Sequence, residues 1–376
     1  MRKLAFIFFL IICAAGTLAQ DEPVADSLPT SSLNWNIQPQ FGFIIPHRSE
    51  MLHLIQGHSR GINLQLLRET TGKKAWERNF QCPEVGLDVY FNYTGNADQL
   101  GNQFALSYLA RLPLRKNSVV SGKEKYFQHT LGLGIGMGYN TKTWDLETNT
   151  QAQVIGSHLN AALTIEYLAQ IFSLKKIALK GGLRLTHFSN GAFTLPNLGT
   201  NNISLVLTLS QKSQTPIKKI FLRDKIEKSN SFMIALTGGL KEIPPPYGKK
   251  YGSITMSAVG QRRLSYKSSL FLGSEVMFNS AVKTLRNRVS ETPSGWEKNA
   301  QLSLVIGYGL NFDRLQLRIL QGFYIVNSWQ ADGLYYQRVS LCYKITDHLQ
   351  ALIGLKTHFA KADHSEIGIG YIIHGK

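Results

Sequence analysis

His187 and Ser189 stand two residues apart in the stretch LTHFSNGAFTLPNLGTNN, residues 185–202, where an alternating run breaks into a loop rich in Asn and Gly. A serine hydroxyl is a weak nucleophile until an adjacent base takes its proton, and a histidine is the usual base. The loop that follows supplies Asn190, Gly191 and Asn197, amide and backbone donors suited to a developing oxyanion. The plainer alternative is two polar residues at the end of a strand. Read as a strand, Leu183, Leu185, His187 and Ser189 share one face, and Arg184, Thr186, Phe188 and Asn190 share the other. A polar pair that continues an apolar stripe is unfavourable unless it lies at an interface or has a use.

The elements that would position this pair read as strands throughout. Leu131, Leu133, Ile135, Met137 and Tyr139 alternate with glycines. Leu159, Ala161, Leu163, Ile165 and Tyr167 alternate with small or polar residues, and Leu302, Leu304, Ile306, Tyr308 and Leu310 alternate with Ser303, Val305, Gly307 and Gly309. Ile367, Ile369, Tyr371 and Ile373 form a last such face. A period of two with one apolar face is a strand pattern. Segments of ~10 residues, several ending in Tyr, predict a transmembrane antiparallel β-barrel, because in lipid only a closed sheet satisfies every backbone group. A soluble β-sandwich is the lesser alternative. No stretch after the first segment has 18 consecutive apolar residues, so transmembrane helices are not expected. The count is roughly 14–16 strands, eight of them between Trp35 and Ser210 and the rest between Ser231 and Ile373.

Residues 1–19 read as a signal peptide, with Arg2 and Lys3 before an apolar run and a cut after Ala19. Cys13 would suit a lipoprotein signal, but Ile12 precedes it where a small residue is expected. The expected division is therefore 1–19 signal peptide, 20–210 barrel region with the candidate site, 211–230 basic connector, and 231–376 further strands of the same barrel. The expected location is the bacterial outer membrane.

The formal charge is +17, and removing Arg2 and Lys3 lowers it to +15. An exported chain is not expected to meet nucleic acid, so the excess suits an anionic membrane surface or a phosphorylated lipid, or merely solvated loops. Cys82 and Cys342 lie 260 residues apart, and two buried free thiols are as good a reading as a disulfide. GLGIGMG, Gly132–Gly138, lacks the strand–turn–helix context of a nucleotide site and reads as glycines inside a barrel. His47, His53 and His58 lack a compact ligand spacing, so no metal and no cofactor are expected.

The run His187-Phe188-Ser189-Asn190, followed by Pro196-Asn197 and an alternating strand, resembles the outer-membrane lipid A 3-O-deacylases of the PagL family, acyloxyacyl hydrolase-like proteins. The resemblance extends to about Ser210. It implies an eight-stranded barrel and a serine esterase with Ser189 as nucleophile, His187 as base and Asn197 as an oxyanion donor. The family's acid would fall fourteen residues after the histidine, and that position holds Asn201. A carboxamide can orient the imidazole but carries no charge to stabilise the imidazolium. Glu166 is an acid by type, yet its parity places it on the lumen face. The implied partners are lipid A, lipopolysaccharide or another outer-leaflet lipid and the membrane itself, with a homodimer as one option. The alternative function is a non-enzymatic, porin-like or structural barrel that retains a degenerate motif.

Overall fold

The structure is a computed structural model and describes residues 32–114, 128–213, 219–220, 228–289, 296–359 and 361–375. The signal-peptide segment and most of the 211–230 connector lie outside the described residues. Eight strands form the first unit: β1 (Leu33–Ile44), β2 (Ser59–Glu69), β3 (Glu84–Tyr93), β4 (Asn102–Pro113), β5 (His129–Asn140), β6 (Leu159–Ser173), β7 (Ile177–Ser189) and β8 (Thr200–Gln211). Eight more form the second: β9 (Ser229–Glu242), β10 (Lys250–Arg263), β11 (Ser268–Asn279), β12 (Ala300–Phe312), β13 (Leu315–Val326), β14 (Tyr335–Lys344), β15 (Leu349–His358) and β16 (Lys361–His374).

All neighbours pair antiparallel, and each set closes on itself. β1 pairs with β8 through Phe41↔Leu205, and β9 pairs with β16 through Ile234↔Tyr371. The expectation that residues 231–376 join the same barrel is therefore corrected: they form a second barrel. Eight strands close around a space that side chains can fill, whereas sixteen in one ring would enclose an aqueous channel.

The outer faces are apolar, with Leu205 66% and Leu272 69% exposed. Apolar stripes on strand after strand of a closed sheet are a hydrocarbon-facing surface. The inner faces are polar and buried. In the first barrel Glu166 accepts from Arg111 Nη2 at 2.7 Å, Arg184 Nη1 at 3.3 Å and Gln38 Nε2 at 3.2 Å. Glycine makes room for this interior: a Cβ on Gly132 would strike the Glu166 side chain, and one on Gly138 would strike the Phe188 ring. The second barrel has its own cluster, in which Arg338 bridges Glu275 and Glu366. Cys82 and Cys342 are buried free thiols, and they belong to different barrels.

Truncating Glu166 leaves two buried guanidinium groups short of a counter-charge. Glu166→Ala is expected to lower the stability of the first barrel by about 3–5 kcal/mol, the usual cost of breaking a buried pair. Urea unfolding of the purified protein, followed by heat-modifiable migration, measures it; an unchanged midpoint means the network is not a stability determinant.

Candidate active site

β7 delivers His187 and Ser189 at the loop end of the barrel. The strand keeps the parity of the sequence: Arg184, Thr186 and Phe188 point into the lumen and are buried, while Leu183 is 49% exposed. His187 and Ser189 thus emerge on the outer face. Ser189 is nevertheless only 8% exposed.

His187 and Asn201 are directly opposed across the β7–β8 hairpin. Directly opposed side chains on one face lie within contact distance. His187 Nδ1 meets Asn201 Oδ1 at 2.7 Å, so Nδ1 carries the proton and donates it to the amide oxygen. That leaves Nε2 with a lone pair, the tautomer a general base requires. Among the described residues no hydrogen bond joins His187 to Ser189; substrate-free sites often hold nucleophile and base apart until a substrate seats.

His47, on the β1–β2 connection, sets the orientation of that amide. Asn201 Nδ2 donates to His47 Nδ1 at 3.2 Å, and His47 Nε2 donates to the Leu198 carbonyl at 3.1 Å. The 3.4 Å approach of the same Nδ1 to the Ile45 carbonyl would need the opposite tautomer and is too long to compete. The bonds run in one direction, from His187 through Asn201 and His47 to Leu198. Sequence reading weighed His47 only as a metal ligand, together with His53 and His58. Nothing in the spacing links residue 47 to residue 201, since they meet only when β1 closes on β8.

Gly199 is the second residue the sequence did not single out. Its φ is +76°, and a Cβ there would lie 2.9 Å from His187 Cε1 and 2.8 Å from the Phe188 carbonyl oxygen. A side chain at 199 would push the imidazole out of place. The loop's Asn-rich character hid this glycine among ordinary turn residues.

The other candidates differ in use. Asn190 donates from Nδ2 to Ser157 Oγ at 2.8 Å and to the Thr194 carbonyl at 3.0 Å, and its Oδ1 accepts from Thr194 N at 3.3 Å. Its backbone N–H goes to Asn197 Oδ1 at 2.9 Å. Asn190 therefore staples the loop, with its backbone N–H and its side-chain amide both engaged. Asn197 uses its oxygen in that bond, which turns Nδ2, the donating end, elsewhere. Gly191 has φ +64°, and no hydrogen bond among the described residues engages its amide. Glu166 stays in the lumen and takes no part in the site. No group of three or more His, Cys, Asp or Glu among the described residues could hold a metal ion.

The β5–β6 connection forms the remaining wall. Leu198 and Gly199 both donate to the Val154 carbonyl, at 2.9 and 3.1 Å, and Gly156 donates to the Pro196 carbonyl at 2.7 Å. On the outer surface Leu163, 40% exposed, lies directly across from His187, and Leu205 lies across from Leu183, so the polar pair borders an apolar strip.

Residues 60–210 match the family model described as lipid A 3-O-deacylase (PagL), and residues 230–375 match the one described as acyloxyacyl hydrolase, C-terminal domain (PagL_C). The first match runs from β2 to β8, and the second spans the whole second barrel. No curated protein matches the chain. Among solved structures, the outer membrane enzyme PagL is similar at 18% identity over 46% of this chain and 97% of that one, with a TM-score of 0.30. An outer membrane channel from Pseudomonas putida F1 is similar at 10% identity, covering 95% of this chain and 100% of its own, with a TM-score of 0.22. A mutant of Rh. blastica porin gives 7% identity, 92% and 100% coverage, and a TM-score of 0.18. Likenesses this distant carry no functional argument.

Proposed function

The chain belongs to the PagL-like family, with both barrels matched, and from that membership we propose that it is an outer-membrane serine esterase removing an acyl chain from lipid A or a related outer-leaflet lipid. The observation that carries the reading is the 2.7 Å bond from His187 to Asn201 beside Ser189, on the lipid-facing side of the barrel. A substrate that never leaves the membrane needs a site on that side.

In this reading His187 Nε2 takes the Ser189 proton while Oγ attacks the ester carbonyl carbon. The carbonyl oxygen becomes an oxyanion, for which the Asn197 amide and the Gly191 N–H are the candidate donors. Collapse expels the sugar-side alcohol, which takes the proton from His187, and leaves an acyl-serine. Water then attacks, His187 takes its proton, and the fatty acid departs with Ser189 restored. Lys142 and Lys249, exposed on connections at the same end of the barrels, suit the phosphates of such a lipid.

One observation favours the second reading, a non-enzymatic barrel: residue 201 is an amide where the family's acid is expected. The porin-like form of that reading is disfavoured by lumens filled with ion-paired side chains. The test is mass spectrometry of lipid A from cells expressing the protein and from cells carrying an empty vector. Loss of one acyl chain is expected; identical spectra sink the lipid A assignment. Covalent labelling of Ser189 by a serine-hydrolase probe excludes a mere remnant.

A further inference from the structure

We propose that the second barrel is a clamp on the active-site loop, with Glu242 as a positioning residue that holds residues 190–197 in register behind Ser189. The inference rests on the esterase reading for its catalytic consequence and on contacts alone for its structural part.

The loop turns back directly after Ser189. Gly191 and Ala192 are both left-handed, with φ +64° and +62°, and a left-handed alanine is disfavoured without outside support. That support comes from the end of β9. Glu242 N donates to the Ala192 carbonyl at 3.0 Å, and Leu195 N donates to Glu242 Oε2 at 2.8 Å. One residue of the second barrel thus grips the loop of the first at two points three residues apart. Lys250, at the start of β10, adds a bond to Glu242 Oε2 at 3.0 Å and one to Thr194 Oγ1 at 3.3 Å. Its ammonium also donates to the Phe193 carbonyl and lies 4.8 Å from the centre of the Phe193 ring.

The contact extends to both sides. Gly191 is seated against Ser365 Oγ and Leu355 on the second barrel, leaving no room for a Cβ. On the other side Tyr247 stacks on Trp144 with ring centres 5.2 Å apart, tying the β9–β10 connection to the β5–β6 connection. The β7–β8 and β5–β6 connections of the first barrel are therefore held by the β9–β10 hairpin of the second, with β15 and β16 beside it.

Glu242 is 3% exposed, and its Oε1 is buried with no hydrogen-bond partner among the described residues. A buried carboxylate with one oxygen unpaired is an expensive way to gain stability. It is a sensible way to fix the Leu195 N–H and the Lys250 ammonium at one point, and Asn197, the proposed oxyanion donor, lies two residues beyond Leu195. A loose loop would misplace that donor without changing the outer face where the lipid binds.

The experiment uses the full chain in outer membranes or detergent. Hydrogen exchange is followed in the peptides covering 190–199 and the β5–β6 connection around Trp144 for the parent, Glu242→Ala, Glu242→Gln, Tyr247→Ala and Lys267→Met. Glu242→Ala is expected to expose the loop amides, and Glu242→Gln to protect them again, because its amide oxygen still accepts from Leu195 N. Tyr247→Ala, which alters an exposed side chain and leaves both barrels intact, is expected to loosen the β5–β6 connection. Lys267 touches Phe80 of the first barrel at the opposite end, with its Nζ 5.0 Å from the ring centre, and its substitution is expected to leave the loop protected. On lipid A, Glu242→Ala is expected to lower kcat between about 10- and 100-fold with KM nearly unchanged, as a misplaced donor would. Unchanged loop protection in Glu242→Ala and Tyr247→Ala overturns the clamp, as does equal exposure in Lys267→Met. If the parent has no esterase activity the functional reading falls, and exchange still decides the clamp.

Discussion

Ser189→Ala is expected to abolish deacylation, lowering kcat/KM by about 10³-fold or more, equivalent to roughly 4 kcal/mol of transition-state stabilisation. The substitution removes one oxygen from a residue that makes no hydrogen bond to His187 in the free protein, so the barrel has nothing to lose by it. The whole effect then falls on the covalent step. His187→Ala should be about as damaging, and the double variant no worse than either single one, because nucleophile and base act as a unit. The measurement is lipid A mass analysis with matched amounts of folded protein in the membrane, judged by heat-modifiable migration. Deacylation that survives in Ser189→Ala removes this residue from the reaction and with it the proposed mechanism.

Asn201 carries the second large effect, and its direction is diagnostic. Asn201→Ala is expected to lower kcat by about 10²-fold, since His187 Nδ1–H loses its acceptor and the ring loses its tautomer. Asn201→Asp should raise kcat, by about tenfold, because a carboxylate keeps the 2.7 Å acceptor position and adds a charge to stabilise the imidazolium. The gain is smaller than the penalty seen when an acid is replaced in a triad, because here the amide already presents the correct atom. His47 is what presents it: Asn201 Nδ2 donates to His47 Nδ1, which keeps Oδ1 on the His187 side. In Asn201→Asp that donor is gone, so His47 must turn its own proton toward the carboxylate and give up Leu198. His47→Ala should therefore damage the parent more than Asn201→Asp, in which orientation of a symmetric carboxylate no longer matters. Initial rates of the four variants on one lipid A preparation measure this. An Asn201→Ala protein as fast as the parent would show that the amide does not orient the base.

How far the site could be read in the sequence follows from the range of each interaction. His187, Ser189 and Asn201 share one face because β7 and β8 are consecutive strands and side chains alternate with period two. Alternation and loop length alone carry that information. Asn190 was a candidate by its residue type, and its hydrogen bonds to Ser157, Thr194 and Asn197, which staple the loop, are visible only in the structure. His47 and Gly199 escaped because one lies 154 residues from its partner and the other looks like any turn glycine. The second barrel's part in the loop escaped for the same reason: Glu242 and Leu195 are joined only by tertiary contact.

The sequence by itself determined the strand period, the apolar outer and polar inner faces, a strand count of roughly 14–16 and the side on which the candidate pair emerges. Each of these follows from the chemistry of neighbouring residues along one strand or across one hairpin. Tertiary structure alone decided that sixteen strands close as two rings of eight. The pairings β1–β8 and β9–β16 set that closure, and side-chain volume in the lumen, not any local pattern, makes eight strands the ring that fills. It also decided that Ser189, outward by parity, is only 8% exposed, and that the loop after it is gripped by the second barrel, whose Glu242 is far from Leu195 in the sequence.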